Sequence, residues 1–345
     1  MTGVYGVHGA KGPILLFLAG SLLLVPELTQ AQEQDTSKVL PPIADTAGHQ
    51  GAAADREGAP SPVIIPESVT EAAPALQIPS LPILTEEQAR VEATVLNHAF
   101  RHEVPAAVKV PTVRKEAWVS LAQKELTESG YPLDRPQVVI VVDRNPAVQR
   151  LCIFLALPHS SDWQVIGSTK VSTGTTGRKF YYITPTGVFQ NTADILGYRA
   201  LGTKNENGIM GNGIKGMRVW DFGWQWAEKG WLPSREKGQI RLEMHATDPV
   251  YLESRLGHTA SEGCIRIPAA LNVFFDKHGL IDAEYERMSA IDERFKALLR
   301  PDRTPSPLAG ATVIVVDTAD MPEVMSVNTA DAKSTTKPHG AASRG

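Results

Sequence analysis

Two cysteines occur in the chain, Cys152 and Cys264, and their surroundings differ. Cys152 lies inside the apolar run Leu151 to Leu157, where a thiol packs as a small hydrophobe and stays inert. Cys264 lies in the stretch Ser261-Glu262-Gly263-Cys264-Ile265-Arg266. A thiol nucleophile needs a base or a positive neighbour to lose its proton near neutral pH. It also needs main-chain N–H groups aimed at the oxyanion that develops on the attacked carbonyl. Gly263 suits a tight turn that lets a substrate approach the backbone. His245, on a separate segment upstream, is the candidate base. Two cysteines are too few for a disulfide scaffold, and the paired CxxC of a structural zinc site is absent from the sequence.

Around this pair stand residues with two open roles each. Arg266 can orient a substrate carboxylate through its planar fork, or brace the loop under Cys264. His258 can line the cleft or sit in an exposed loop. Ser261 can hydrogen-bond within its own loop. Trp220, Trp224, Trp226 and Trp231 can stack on sugar or pack locally. The segment from Gly211 to Gly216 fits a GxGxxG spacing, but no strand precedes it and no helix follows, so it is read as a flexible loop.

Strands must position the pair. Val138 to Val142 is β-branched throughout, and Leu151 to Leu157 and Trp163 to Val171 follow after turn-rich breaks. Arg241 to His245 is a short strand candidate, and residues 190 to 238 read as one long irregular segment. Before the strands, Thr85 and Gln88 have the spacing of a capping box, and Val113 to Ser129 reads as a second helix stopping at Gly130. After the cysteine, Pro268 opens a helix closed by Gly279, and Asp282 to Leu299 reads as another. Val313 to Val316 has the composition of one further strand.

The ordered motifs resemble the L,D-transpeptidase (YkuD-like) family. That family carries a histidine, a gap and then a Ser-His-Gly-Cys-Ile-Arg-like motif, matched here by His245 and by Ser261 to Arg266. Its upstream valine-serine-threonine-glycine and threonine-proline-x-glycine segments are matched by Val171 to Gly174 and Thr184 to Gly187. The similarity covers roughly residues 137 to 268, with one clear departure: Glu262 stands where the family usually has histidine.

The resemblance implies a mostly β catalytic domain, a curved mixed-sheet sandwich with a few flanking helices and a helical N-terminal accessory segment. It implies that Cys264 attacks a peptidoglycan tetrapeptide stem, that His245 protonates the departing D-alanine, and that an amine of a neighbouring stem or of a lipoprotein resolves the thioester. Gly263, Glu262 and Ser261 would shape the oxyanion loop, and Arg266, His258 and Glu262 would contact substrate. No metal or cofactor is required, and carbapenems are expected to acylate the thiol. Two other readings stay open: an L,D-carboxypeptidase that resolves the same thioester with water, and a non-catalytic wall-binding module.

The net charge of −4 argues against a nucleic-acid partner. Lys11, the apolar run Ile14 to Val25 and the small residues near Ala31 read as an export signal over 1–31, cleaved or kept as an uncleaved anchor, which places the chain in the periplasm or cell envelope. Residues 32–84 are rich in Pro, Ala and Gly and read as a disordered spacer. The expected order is then a helical accessory segment over 85–134, the catalytic domain over 135–300 and a flexible tail over 301–345.

Overall fold

The computed structural model describes residues 77–131, 133–319 and 321. The expected export signal, most of the spacer and the end of the tail lie outside those residues.

The chain opens with α1 (Glu86–Glu103) and α2 (Thr112–Glu128). Thr85 caps α1 through a complete capping box with Gln88, as the sequence predicts. Ten strands and three further helices follow: β1 (Gln137–Asp143), β2 (Arg150–Ala156), β3 (Gln164–Lys170), β4 (Tyr182–Ile183), β5 (Gly187–Gln190), β6 (Tyr198–Arg199), β7 (Arg218–Lys229), β8 (Lys237–Ala246), β9 (Ile265–Ile267), α3 (Ala269–His278), α4 (Ala283–Met288), α5 (Glu293–Leu298) and β10 (Thr312–Val316). The fold is mostly β, with two mixed sheets and flanking helices. The first sheet runs β3-β2-β1-β10-β5, with β1 and β10 parallel. The second runs β4-β7-β8-β9, with β8 and β9 parallel and β6 paired to β7.

The first sheet is buried on both faces, which explains its unbroken apolar strands. Val138, Ile140 and Val142 face the core shared with the second sheet, α1 and α3. Val139 and Val141 face Trp118, Ala122 and Leu126 of α2. The two N-terminal helices therefore complete the cores on either side of this sheet. The second sheet buries one face, so β8 alternates: Ile240, Leu242 and Met244 point inward between polar neighbours.

Four expectations need correction. The segment 190–238 is not irregular throughout, because Arg218–Lys229 forms the longest strand. Polar and glycine residues hide it, since a β-bulge between Asp221 and Trp224 breaks its alternation. The single helix over Asp282 to Leu299 is two short helices, with a break at Ser289–Asp292 where Asp292 caps the second. The flexible tail does not begin at 301: β10 is fully buried and lies between β1 and β5. The spacer does not run free to 84 either, because Leu84 packs on the core and Arg287 Nε donates to the Pro79 carbonyl at 2.6 Å.

Candidate active site

The β8–β9 pairing sets the site. Met244 sits opposite Ile265 and both enter the core, while His245 sits opposite Arg266. Side chains alternate along a strand, so Glu243 and His245 occupy the outward face of β8. Cys264 immediately precedes β9 and alternates onto that same face with Arg266. Candidate nucleophile and candidate base thus come to one face of one sheet, from segments far apart in sequence.

The two upstream motifs hold the cysteine loop. Ser172 exchanges both main-chain hydrogen bonds with Arg266, at 3.0 and 2.8 Å, and the Thr173 carbonyl accepts from Ala260 and Ser261 N–H at 3.0 Å each. Thr184 Oγ1 accepts from Gly174 N–H at 2.8 Å and donates to the Gly263 carbonyl at 2.6 Å. Gly174 has to be glycine, since a Cβ there would stand 1.9 Å from the Tyr182 carbonyl oxygen. Gly263 adopts φ +134°, a conformation that an L side chain resists. Gln149 clamps the first motif, accepting from Thr173 N–H at 2.7 Å. Ser261 is fully buried and works inside the loop, donating to the Cys264 carbonyl at 2.5 Å and accepting from Gly263 N–H at 3.2 Å. Gly263 N–H is therefore turned inward, to the Ser261 hydroxyl.

Near neutral pH both candidate groups are uncharged. Burial pushes the Cys264 thiol up to about 11, and the Glu243 carboxylate adds to the shift. Burial pulls the His245 imidazole down to about 4. The expectation of a thiolate near neutral pH is not met in the free chain. Nδ1 of His245 lies 2.7 Å from the Ala246 carbonyl, which fixes the proton on Nδ1 and leaves Nε2 as a base. The thiol donates to the Arg241 carbonyl at 3.7 Å and is not hydrogen-bonded to the imidazole. Candidate base geometry in a free enzyme is often loose in this way. Cys152 is fully buried with its thiol pushed well up by burial, and both cysteines are free.

The same face carries residues that sequence reasoning passed over. Tyr198 hydroxyl donates to Glu243 Oε1 at 3.0 Å, and Asn212 Nδ2 donates to the Tyr198 hydroxyl at 3.1 Å. Arg241 pairs with Asp221 at 2.7 Å. The signal was available: Ile240, Leu242 and Met244 alternate with Arg241, Glu243 and His245, which places Glu243 beside the candidate base. Asn212 belongs to the glycine-rich segment read as a flexible loop. That loop is tied down by Met210 N–H donating to Asp248 Oδ2 at 3.0 Å.

The remaining candidates separate. Glu262 is exposed and its main chain, not its side chain, ties the loop, accepting from Tyr182 N–H at 3.1 Å. Arg266 NH1 donates to the Ala260 carbonyl at 3.3 Å, which favours the brace. His258 is exposed in a loop. Trp220 is core, Trp231 packs edge-on against Tyr182, and Trp224 and Trp226 stand 61% and 62% exposed on β7. A cavity of about 580 Å³ abuts the loop from elsewhere, lined by Gly174, Thr176, Ile183 and Thr259 among others, and does not include Cys264 or His245. Among the described residues, no group of three or more His, Cys, Asp or Glu is placed to hold a metal ion. No helix among them is long and apolar enough to cross a membrane.

No protein-family model and no curated protein sequence matches the chain. Among solved structures, the chain is similar to a fused Zn-dependent amidase/peptidase/peptidoglycan-binding domain-containing protein from Clostridium acetobutylicum ATCC 824. The identity is 13%, and the match covers 61% of this chain and 66% of that chain, just under two thirds of its length. With a TM-score of 0.22, that likeness carries no argument about fold or function.

Proposed function

We propose that the chain is an exported peptidoglycan L,D-transpeptidase of the cell envelope, with Cys264 as nucleophile and His245 as base. The observation that carries this reading is the convergence of the Val171–Gly174 and Thr184–Gly187 segments on the cysteine loop, through Ser172, Thr173 and Thr184. Those segments and the loop are the motifs on which the sequence resemblance rests.

In this reading His245 Nε2 takes the thiol proton as Cys264 Sγ attacks the carbonyl of the third stem residue. The C–S bond forms and the oxyanion leans on the Cys264 N–H. Terminal D-alanine leaves with the proton returned by His245. The amine of a second stem then attacks the thioester, the C–N bond forms, and sulfur departs. A neutral thiol beside a neutral imidazole suits this route, because the proton moves as the substrate is attacked.

The test is incubation of purified enzyme with stem tetrapeptides and with a carbapenem. Cross-linked dimers and a single carbapenem adduct, both lost in Cys264→Ala, support the reading. Trimmed monomers without dimers would make the chain an L,D-carboxypeptidase. A folded protein that forms neither product nor adduct would leave a wall-binding module.

A further inference from the structure

We propose that Glu243 is the specificity-determining residue that selects an amine over water as the acyl acceptor, a role that rests on the transpeptidase reading. Three observations place it there. Glu243 directly precedes Met244, whose partner Ile265 directly follows Cys264, so carboxylate and thiol are neighbours on one face. Glu243 Oε1 is held by the Tyr198 hydroxyl at 3.0 Å, itself steadied by Asn212, and the other oxygen accepts no hydrogen bond among the described residues. The nearby cation makes its hydrogen bonds elsewhere: Arg241 gives both Nε and a terminal nitrogen to Asp221, at 2.8 and 2.7 Å, and acts on Glu243 only through space.

A fixed carboxylate with one free oxygen beside the reacting sulfur is a poor neighbour for a thiolate and a good one for an ammonium. The acceptor side-chain amine arrives as an ammonium and must lose two protons to become an amide. Glu243 takes the first and passes it to solvent. His245 takes the second as the C–N bond forms, and returns it to Cys264 sulfur as the C–S bond breaks. Water carries no charge, so the carboxylate draws it less strongly than it draws an ammonium. Burial raises the Glu243 carboxyl above its usual range, which helps it accept a proton. The same side chain restrains the thiol until a cation arrives. Glu262, one of the residues expected from the resemblance to contact substrate, is exposed.

The experiment measures the ratio of cross-linked to trimmed product at fixed acceptor concentration, for wild type, Glu243→Gln, Glu243→Asp and Tyr198→Phe. Losing one charge-assisted contact should lower the ratio roughly tenfold to a hundredfold in Glu243→Gln. Glu243→Asp should keep most of it, Tyr198→Phe should lie between, and alkylation of Cys264 should become faster in Glu243→Gln. An unchanged ratio in a folded Glu243→Gln that still forms the thioester would overturn the role of Glu243 alone. A wild type that forms no thioester at Cys264 would instead remove the transpeptidase reading on which it rests.

Discussion

Cys264 should behave as an ordinary, even sluggish, thiol until substrate is bound. Burial and Glu243 put its titration at about 11, and His245, at about 4, supplies no imidazolium at neutral pH. A group titrating about four units above neutral pH is ionised there to roughly one part in ten thousand. Alkylation by iodoacetamide should therefore rise about tenfold per pH unit from about pH 7 to about pH 10, without a plateau. A resting thiolate–imidazolium pair would behave differently: its thiolate would be populated well below pH 7 and the rate would be flat across that range. The assay is intact-mass measurement of labelling against time at several pH values, with Cys264→Ala as the blank. Cys152, fully buried, should stay unlabelled while the protein is folded. A rate that levels off below about pH 8 would refute the neutral-pair arrangement and, with it, the restraint assigned to Glu243.

Two further outcomes follow from the same geometry. His245 titrates below its unfolded value, so as pH falls the unfolded chain takes up the proton first and stability is lost between about 6.5 and about 4. The loss should total about 3 kcal/mol by urea unfolding. It should be missing from the difference between pH 7 and pH 4 in His245→Gln, and an equal loss in that variant would show that other groups carry it. Thr184→Val strands the Gly174 N–H and the Gly263 carbonyl together. It should cost about 2–3 kcal/mol and slow turnover more than Cys152→Ala does, whereas wild-type stability and turnover would show that Thr184 does not hold the loop.

The sequence was most informative where one local pattern had one physical cause. The capping box of Thr85 and Gln88 gave the start of α1, and the β-branched run at Val138 gave a strand buried on both faces. The cysteine loop and its two supporting segments were legible as motifs, although their convergence rests on turns that only the fold supplies. The sequence was least informative where long-range pairing decides. Val313 to Val316 reads as a strand, but its place does not: β10 lies between β1 and β5 because its parallel register with Val139–Asp143 buries both of its faces. Likewise Glu262 draws the eye because it departs from the motif, whereas Glu243 carries the larger effect on the thiol. Strand alternation put Glu243 on the face of His245, but only the parallel pairing of β8 with β9 brings Cys264 to it.

The most direct test of the central claim is the mass of the enzyme trapped during reaction with a stem tetrapeptide and no acceptor. The proposal predicts a covalent adduct on Cys264 equal to the tetrapeptide minus its terminal D-alanine, removed by hydroxylamine and absent from Cys264→Ala. A folded enzyme that consumes the tetrapeptide without that thioester, or that carries the adduct on another residue, would contradict it.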